Sequence, residues 1–586
     1  MRRHSLLLQH LTRACRRVSG VASSIRTCEL SPSSSCSRVA CNRSLRPFSA
    51  NAAQRNGFQQ PNSGGGGGGL GAGTNDTIYA LSTAQGKAGI AVIRISGPSC
   101  LDIYRALCPS RALPKPRYAA VRSLLGPEAA GVDRGVLDSE AVVLFFPSPK
   151  TVTGEDVLEL HIHGGTATIK AVLAAIPQCP SSHRIRYAEP GEFTKRAFLN
   201  DRLDLARVES LGDILSAETE QQRRAAVRGN SGKLARTYEG WREELLLARG
   251  EIEALIDFSE DQHFDESPAD LLHNVAEIVD NIVRGIRLHE QGGHRSELLR
   301  SGIRIALLGP PNVGKSSLMN LIVGREASIV SGEAGTTRDI VEASLDIGGY
   351  LCSFADTAGF RSSDDMGPSS RVGAVEREGI RRARQKAQES DIVVVLASVE
   401  SGPSGPTILY DQETLDIAAA AQARLVVVNK RDTVSPTELQ RLLGEFRHTL
   451  GDRVPELGSA HIAAISCKEA SSLNFAGQDQ DPGGIHALTE AVVGTFSQMT
   501  EMPVDLQDLL GVTARQAQLL ARCRGHLEEF LAEARPEDEG DEADTVLAAE
   551  YLRYAADCLA RITGKGEAGD VEDVLGVVFE KFCVGK

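Results

Sequence analysis

The most informative stretch of this 586-residue chain is Ile303-Arg-Ile-Ala-Leu-Leu-Gly-Pro-Pro-Asn-Val-Gly-Lys-Ser316. Its apolar first half predicts a buried strand, and the segment from Gly309 to Ser316 has the phosphate-loop pattern GxxxxGK(S/T). Glycines in such a loop allow backbone N–H groups to turn inward at a helix N-terminus and bind an anion. We expect Lys315 to reach the β- and γ-phosphates of a nucleotide and the Ser316 hydroxyl to ligate Mg²⁺.

Four further motifs follow in a fixed order and specify the nucleotide. They are Gly335-Thr-Thr-Arg-Asp339, Asp356-Thr-Ala-Gly359, Asn429-Lys-Arg-Asp432 and Ser466-Cys-Lys468. Asp356 follows an apolar strand, where a carboxylate can hold Mg²⁺ through water. Asp432 supplies two acceptor oxygens for the N1–H and 2-amino edge of guanine, and adenine presents no such pair of donors. The motifs therefore predict binding of GTP rather than ATP.

The predicted nucleotide contacts come from all five motifs. They are Asn312, Val313, Gly314, Lys315, Ser316, Ser317, Thr336, Thr337, Asp356, Thr357, Ala358, Gly359, Asn429, Lys430, Asp432, Ser466, Cys467 and Lys468. The predicted Mg²⁺ ligands are Ser316, Thr337 and Asp356.

One departure from common GTPases is informative. Phe360 follows Asp356-Thr-Ala-Gly359, so the usual glutamine that orients the attacking water is missing. The water and the developing charge must then be handled by other groups. Asn312 offers a side-chain oxygen beside the β- and γ-phosphates that can coordinate a monovalent cation. Glu376 follows the switch and is a candidate for positioning the water.

These motifs together resemble the MnmE (TrmE) family of tRNA-modification GTPases, in its mitochondrial form. The resemblance implies a potassium-dependent G domain, in which K⁺ is held by Asn312 and by the backbone carbonyls of Ser331 and Glu333. It also assigns the role of catalytic glutamate to Glu376. The stretch from Ser362 to Ala374 is longer than is usual in the family, which would place this glutamate on a longer arm.

The C-terminal tetrapeptide Cys583-Val-Gly-Lys586 is similar to the family's C-terminal signature. A thiol, a lysine and a terminal carboxylate on a tail are suited to delivery into a pocket. Cys583 therefore joins Lys315 and Glu376 as a predicted catalytic residue. Whether Cys583 acts as a nucleophile or only shapes the pocket stays open, because thiol reactivity depends on its pKa.

Several strings between Asp76 and Asp201 resemble the family's N-terminal domain, which binds 5-formyl- or 5,10-methylene-tetrahydrofolate. Carried over by position, Arg94, Glu159 and Arg202 line the folate site, and Lys586 closes it. The family commonly has lysine where this chain has Arg202. Arginine presents a planar fork rather than a point charge, so the geometry of that contact is expected to differ.

His161 and His163 alternate along an apolar strand and therefore face the same way. This spacing is compatible with metal ligation, but the sequence shows no Cys, Asp or Glu at a supporting spacing. The sequence favours a structural pair of histidines over a metal site.

Residues 1–74 differ in composition from everything that follows. They contain ten arginines, no lysine and a single acidic residue, Glu29, together with many serines. This composition is typical of a mitochondrial or plastid transit peptide followed by a Gly-rich disordered linker, and the resemblance favours the mitochondrial form and localisation to the mitochondrial matrix. A basic nucleic-acid-binding arm is the alternative.

The rest of the chain is strongly acidic. It contains 54 Lys and Arg residues against 76 Asp and Glu residues, a net charge of −22. Such a surface repels phosphate backbones, so we expect tRNA to be bound mainly by a partner. The resemblance implies an FAD-dependent subunit of the MnmG (GidA) type, and a homodimer of this chain.

The twelve cysteines show no C-x-x-C pair and are expected to be reduced. No stretch of about twenty apolar residues is present, so no membrane span is expected. The acidic run at residues 536–544 is expected to be a solvated loop, with a binding role as the weaker alternative.

The sequence predicts a multidomain chain of α/β and α classes. After the leader, residues 75–200 are expected to form an N-terminal α+β folate-binding and dimerisation domain. Apolar residues recur at helical spacing in 201–300 and again in 501–586, on either side of a P-loop (Ras-like) G domain at 301–500. This arrangement predicts one helical domain into which the G domain is inserted.

The predicted function is a potassium-stimulated GTPase that modifies C5 of the wobble uridine of mitochondrial tRNAs with a tetrahydrofolate one-carbon unit. An Era- or Der-type ribosome-assembly GTPase is the alternative, although no KH-like domain or second G domain is visible in the sequence. A folate-binding scaffold with a slow structural switch is the other alternative, and it predicts that Glu376 is dispensable for hydrolysis. The sequence leaves open whether glycine or taurine is the amine donor.

Overall fold

The computed structural model describes residues 75–126, 134–258, 268–329, 344–354, 384–385, 387–403, 405–458, 460–472, 481, 483–535, 543–566, 575–576 and 585. Several predictions made above fall outside these residues and stay predictions. They concern the leader at 1–74, most of the acidic run, and Ser331, Glu333, Thr336, Thr337, Asp356, Thr357, Ala358, Gly359, Glu376, Cys583 and Lys586.

The N-terminal part is a twisted sheet with helices packed on it. Its elements are β1 (Thr77–Leu81), β2 (Ile90–Ser96), α1 (Cys100–Leu107), β3 (Ala120–Leu125), β4 (Val136–Phe146), β5 (Val157–His163), α2 (Thr166–Ala175), β6 (Ile185–Tyr187) and α3 (Glu192–Leu199). In the part of this domain that the structure describes, the strand order is β3-β4-β5-β2-β1-β6; β1 and β6 pair in parallel, and the other neighbours pair antiparallel. Alternate residues such as Ile93, Ile95 and Leu160 are buried against α1 and α2, so the opposite face of β2 and β5 carries Arg94 and Glu159.

In the described residues, four helices follow before the central sheet begins. They are α4 (Leu205–Ser216), α5 (Glu220–Gly229), α6 (Lys233–Phe258) and α7 (Pro268–Ser301). The Asp204 side chain accepts a hydrogen bond from the Arg207 amide at 2.9 Å and fixes the start of α4. The apolar stripe of α6 and α7 meets at Tyr238, Ile252 and Ile286, which are fully buried.

The central part is a mostly parallel sheet covered on both faces. Its elements are β7 (Ile303–Leu308), α8 (Lys315–Leu321), β8 (Ala327–Ile329), β9 (Ser344–Ile347), β10 (Tyr350–Phe354), β11 (Ile392–Gly402), β12 (Gly405–Leu409), α9 (Gln412–Ala419), β13 (Ala423–Asn429), α10 (Pro436–Arg453), α11 (Pro455–Gly458), β14 (Ile462–Ala464), α12 (Cys467–Ser472) and α13 (Ile485–Thr500). In the described residues the strand order is β14-β13-β11-β7-β10-β9-β8, with β12 paired to β11.

This sheet explains why the central strands read as continuous apolar runs. Ile305 and Leu307 of β7 enter one buried cluster, whereas Ala306 and Leu308 enter the cluster on the other face. A parallel sheet with helices on both faces needs apolar side chains in both directions. The carboxyl ends of β7, β11 and β13 then meet at one edge, and the predicted nucleotide loops follow them.

After the sheet, a 3₁₀ segment (Val504–Gly511) leads into α14 (Ala514–Ala534) and α15 (Thr545–Thr563). These helices return to the first helical block: α15 packs against α6, and α14 packs against α7. Glu209 of α4 is buried and accepts hydrogen bonds from Arg515 Nε at 2.5 Å and Gln516 Nε2 at 2.8 Å. Residues on both sides of the central sheet in the sequence thus share one helical core.

None of the helices in the described ranges is both long and apolar enough to cross a bilayer.

Candidate functional site

The loop between β7 and α8 has a backbone that only particular residues can adopt. Gly309 has a φ of +151°, and a Cβ atom there would lie 2.2 Å from the carbonyl oxygen of Leu396. Gly314 has a φ of +102°, and its Cβ would lie 2.3 Å from Asn429 Nδ2. Asn312 also has a positive φ, of +62°, and its side chain is exposed. Because glycine has no β-carbon, the loop backbone can approach the Leu396 carbonyl at Gly309 and the Asn429 side chain at Gly314.

Lys315 folds across the loop that it follows. Its Nζ donates to the carbonyl oxygens of Gly309 and Pro310, both at 2.8 Å. Burial lowers the pKa of Lys315 from its usual value. Ser316 and Ser317 are exposed at the start of α8. The Lys315 ammonium group therefore lies over the loop. The Ser316 hydroxyl, which is predicted to bind Mg²⁺, belongs to the next residue.

Asn429 joins three of the predicted nucleotide loops. Its side chain is almost completely buried; Nδ2 donates to the Val313 carbonyl at 2.7 Å, and Oδ1 accepts from the Cys467 amide at 3.1 Å. The phosphate loop, the end of β13 and the loop after β14 are thereby held at one place. The buried amide acts as a structural hub of the pocket rather than as an exposed ligand group.

The Asp432 carboxylate is oriented by the next loop along the sheet. Ser466 Oγ donates to Asp432 Oδ1 at 2.6 Å and accepts from the Glu469 amide at 3.0 Å. These two bonds fix the rotation of the carboxylate that is predicted to read guanine. Ser466 thus lies next to Asp432, which suits a shared base-binding role, and Cys467 and Lys468 follow it in the chain.

Lys430 has a partner that sequence motifs alone did not reveal. Its backbone is left-handed, with a φ of +63°, and its Nζ donates to Glu400 Oε1. Ser398 Oγ donates to the same carboxylate oxygen at 2.9 Å, and the bond from Lys430 holds the pKa of Glu400 below its usual value. The register of β11 and β13 sets Ser398 opposite Asn429, so strand pairing is the signal that could have pointed to Glu400.

Cys467 is buried beneath this pocket. Burial raises the pKa of its thiol to about 11, so the side chain is protonated at neutral pH. Asn429 meets both the backbone amide of Cys467, which donates to Asn429 Oδ1, and the thiol, whose pKa the Asn429 contact lowers by less than burial raises it.

The strand that precedes the predicted Mg²⁺ ligand Asp356 is also in place. β10 pairs in parallel with β7, with Phe354 opposite Ile305. β10 therefore ends beside β7, and the predicted ligand Asp356 lies outside the described residues.

In the N-terminal domain, two predicted folate residues form an ion pair. Arg94 of β2 and Glu159 of β5 are opposite each other in the register, and Arg94 Nε lies 3.0 Å from Glu159 Oε1. Their side chains are 22% and 15% exposed, so a ligand can reach both. The guanidinium carbon of Arg94 lies 6.0 Å from the centre of the Phe193 ring. His161 Nε2 lies 3.4 Å from Glu159 Oε2.

The C-terminal tail reaches this same domain. Ser82 Oγ donates to the Gly585 carbonyl at 2.8 Å. Gly585 has a φ of +101°, and a Cβ atom there would lie 2.2 Å from the carbonyl oxygen of Leu81. β1 ends at Leu81, and its Ala80 is paired with Arg94. The residue before Lys586 is therefore docked at the end of the strand that flanks Arg94.

Arg202 is anchored at a different point. Its Nε donates to the Thr151 carbonyl at 3.1 Å, in the segment between β4 and β5. The structure pairs Arg94 with Glu159 and docks Gly585 at the end of the neighbouring strand β1, and Arg202 makes no hydrogen bond with Arg94 or Glu159 among the described residues.

A buried ionic network, which the sequence did not reveal, fixes the helix over Arg94. Arg196 of α3 is 4% exposed and donates to Asp76 Oδ1 at 2.7 Å, Glu155 Oε1 at 3.0 Å and Glu192 Oε1 at 3.1 Å. Burial alone would raise the pKa of Asp76, but Arg186 and Arg196 outweigh it and lower that pKa. The network ties α3, and with it Phe193, to the sheet.

The two strand histidines have carboxylate partners that come from the fold. His163 Nδ1 lies 2.9 Å from Asp138 Oδ1 of β4, while His161 is next to Glu159. Across the described ranges, no group of three or more His, Cys, Asp or Glu side chains is arranged to hold a metal ion.

Two family models together match most of the chain after residue 76. Residues 77–202 match the family model "GTP-binding protein TrmE N-terminus", and residues 205–583 match "MnmE helical domain". The chain is 42% identical over 512 residues to the tRNA modification GTPase MnmE of Parvibaculum lavamentivorans, covering 87% of this chain and 100% of that protein. The chain belongs to the MnmE family of tRNA-modification GTPases.

Another MnmE-family relative comes from Danio rerio and is named 5-taurinomethyluridine-[tRNA] synthase subunit GTPB3, mitochondrial. It is 37% identical over 520 residues, which cover 87% of this chain and 93% of the relative. The G domain of the FeoB iron transporter of T. maritima is 19% identical over 33% of this chain and 98% of that chain, with a TM-score of 0.18 that carries no argument by itself. The predicted fold class, an N-terminal α+β domain and a helical domain with an inserted α/β domain, is confirmed by the family matches and by the two sheets.

Proposed function

We propose that this protein is the GTP-hydrolysing subunit of a mitochondrial enzyme that modifies C5 of the wobble uridine of tRNA. The observation that carries the proposal is the hub at Asn429, which joins the phosphate loop to both base loops, in a chain of the MnmE family. The mitochondrial assignment is supported by the Arg-rich, acid-poor composition of residues 1–74 and by the name of the Danio rerio relative.

In the first step of the proposed function, GTP binds with its phosphates over the loop at Gly309–Ser316 and its base at Asp432. Lys315 supplies positive charge at the β- and γ-phosphates, and Glu376 positions the attacking water. Such charge near the transferred phosphoryl group is the main catalytic contribution in this class of reaction. Mg²⁺ held by Ser316, Thr337 and Asp356 would supply further neutralisation of phosphate charge.

Asn312 is the residue proposed to confer potassium dependence. Its exposed amide, on a loop backbone with a φ of +62°, fits a cation that needs oxygen ligands, together with the carbonyls of Ser331 and Glu333. K⁺ at this position would supply the positive charge that an arginine supplies in other GTPases. Two G domains of a homodimer are proposed to meet there.

The second step of the proposed function takes place in the N-terminal domain. The half-buried Arg94–Glu159 pair offers a cation and a carboxylate side by side, which suits a folate with its anionic tail and its amidine-like pterin edge. The bound folate would supply the one-carbon unit. Lys586 is proposed to close this site and Cys583 to act there; Gly585, which lies between them in the sequence, is docked beside the end of β1.

An FAD-dependent subunit of the MnmG type is the proposed partner. The acidic charge of residues 75–586 supports the proposal that this partner makes most of the tRNA contacts. The name of the Danio rerio relative favours taurine over glycine as the amine donor.

The first experiment compares GTP hydrolysis by the full chain in KCl and in NaCl at equal ionic strength. We expect K⁺ to accelerate hydrolysis by at least about tenfold, as loss of one transition-state charge contact commonly costs that much or more. Asn312→Ala is expected to lose the acceleration. Asn320→Ala, which removes an exposed asparagine from α8 of the same domain, is the matched control and should keep it. Equal rates in the two salts would overturn the potassium mechanism.

A further inference from the structure

We propose that Arg431 is a positioning residue for guanine recognition, because it braces the loop that carries Asp432 against the loop that carries Ser466. Arg431 occupies the variable position of the Asn429-Lys-Arg-Asp432 motif, to which no nucleotide contact is assigned. The proposal rests on the proposed binding of GTP at Asp432.

Arg431 contacts the neighbouring loop through both its backbone and its side chain. The Arg431 amide donates to the Ile465 carbonyl at 3.1 Å. Its Nη1 donates to the Ala464 carbonyl at 3.2 Å, and its Nε donates to Glu469 Oε2 at 3.4 Å. One residue thereby binds the end of β14, the start of the next loop and the first turn of α12.

These contacts close a ring around the base-reading carboxylate. From Arg431 the ring passes through the side chain of Glu469 to the Glu469 amide, which donates to Ser466 Oγ, and Ser466 Oγ donates to Asp432 Oδ1. Arg431 and Asp432 are adjacent in the chain, so the ring begins and ends at one peptide unit. The position of the Asp432 carboxylate is thus fixed from two directions.

The segment at Gly483 and Gly484 packs against the Arg431 guanidinium and restricts its position. Gly484 has a φ of +71°, and a Cβ atom there would lie 2.8 Å from Arg431 Nη1 and 3.1 Å from the Ala464 carbonyl oxygen. The neighbouring Gly483 carbonyl accepts from the Ser466 amide at 2.9 Å. The guanidinium is therefore enclosed between the Ala464–Glu469 segment and Gly484, and its side chain is only 29% exposed.

The base loop needs such a brace because its backbone is held in an unusual conformation. Lys430, the residue before Arg431, has a left-handed φ of +63°, which a β-carbon disfavours. Without the bonds of Arg431, the segment can relax and carry Asp432 away from the donors of guanine. The expected consequence is a specific loss of base recognition rather than a loss of phosphate binding.

The test compares equilibrium binding of GTP and of inosine triphosphate to the full chain. Inosine lacks the 2-amino group of guanine, so the ratio of the two dissociation constants measures the contact between that group and Asp432. Arg431→Met keeps much of the apolar stem and removes the guanidinium. We expect it to weaken GTP binding by about tenfold, the scale of losing hydrogen bonds to a charged group, and to bring the ratio of GTP to inosine triphosphate affinities towards one.

Two further variants make the result specific. Arg424→Met is the matched control, since Arg424 lies at the other end of β13 and donates to the Ala419 carbonyl at 2.7 Å; it should leave the ratio unchanged. Glu469→Gln removes only the negative charge that partners Arg431. Like Arg431→Met, it should bring the ratio of GTP to inosine triphosphate affinities towards one. Circular dichroism verifies folding, and if Arg431→Met does not fold, Glu469→Gln decides.

The outcomes separate this inference from the proposed function. If the wild-type protein binds both nucleotides equally, recognition of guanine by Asp432 is wrong, and the inference falls with it. If the wild-type protein prefers GTP and the folded variants keep the wild-type ratio, the inference alone is overturned. A narrowed ratio in both Arg431→Met and Glu469→Gln, with Arg424→Met unchanged, supports it.

Discussion

At the scale of single residues, burial sets the protonation of groups far from any site. His289 of α7 is enclosed by α6, with its Nδ1 3.0 Å from the Tyr238 hydroxyl and its ring centre 5.0 Å from that of Trp241. Burial lowers the pKa of His289 from 6.5 to about 4. The folded protein therefore holds this imidazole in its neutral form.

This burial predicts a pH dependence of stability. The unfolded chain takes up a proton at His289 below its ordinary pKa of 6.5, while the folded chain does so only near 4. The stability that depends on a neutral His289 is thus fully present above pH 6.5. As the pH falls from about 6.5 to about 4, the free energy of unfolding decreases by up to about 3 kcal/mol. Denaturant unfolding at pH 7.5 and pH 5.0 measures it.

His289→Phe serves as the comparison for that measurement, because it fills the site with a ring that does not titrate. We expect the difference in unfolding free energy between pH 7.5 and pH 5.0 to be smaller in the variant by about 2 kcal/mol. An identical pH dependence in both proteins would show that His289 is accessible to protons in the folded state.

At the scale of elements, two helical glycines are expected to respond oppositely to the same substitution. Gly444 lies within α10, and a Cβ atom there would meet nothing within 4 Å. Gly285 lies within α7, and its Cβ would lie 2.6 Å from Trp241 Cζ2. Gly444→Ala is expected to stabilise the protein by about 0.5–1 kcal/mol, because alanine restricts the unfolded chain and favours the helix.

Gly285→Ala is expected to destabilise the protein by about 1–3 kcal/mol, since a methyl group would force the indole ring out of its position. Thermal unfolding of the two variants and of the wild-type protein gives the comparison. If both substitutions stabilised the protein, the close packing of α7 on Trp241 would be wrong.

The sequence predicted those elements whose signal is local. The phosphate loop follows from the spacing of Gly309, Gly314 and Lys315, and the two helical blocks follow from apolar periodicity. The side-chain contacts that orient the site could not be predicted from the sequence, because strand pairing determines which residues become neighbours. Glu400 meets Lys430 only because β11 lies beside β13, and Arg431 meets Glu469 only because β14 lies beside β13. No local pattern records those neighbours.

The N-terminal domain shows the same limit. Arg94 and Glu159 were proposed from a resemblance, and their pairing depends on the register of β2 and β5. The network around Arg196 draws Asp76 from 120 positions earlier in the chain. The sequence of α3 alone cannot identify a contact partner that lies so far away in the chain.

At the scale of the whole molecule, the two ends of the described chain are joined by one hydrogen bond. Ser82 and Gly585 are 503 positions apart in sequence. If this bond holds the tail over the proposed folate site, Ser82→Ala should weaken binding of 5-formyltetrahydrofolate by about fivefold, the scale of one hydrogen bond. Isothermal titration measures this change.

Ser139→Ala, an exposed serine on β4, is the control for the tail variant and should bind 5-formyltetrahydrofolate as the wild-type protein does. Unchanged binding by Ser82→Ala would show that the tail contact does not support the ligand. A wild-type protein that binds no folate would instead contradict the folate site itself.

The pairing of α6 with α15 has a consequence for biosynthesis. About 200 residues of the G domain separate the two helical blocks, and a ribosome adds about 5–20 residues per second. The apolar faces of α6 and α7 are therefore made about 10–40 seconds before the helices that cover them. The interval in which the nascent chain can aggregate is set by the time needed to translate the G domain. Slow translation of the G domain would thus lower the yield of correctly folded helical domain, although the slow codons lie outside the sequence that encodes the helices.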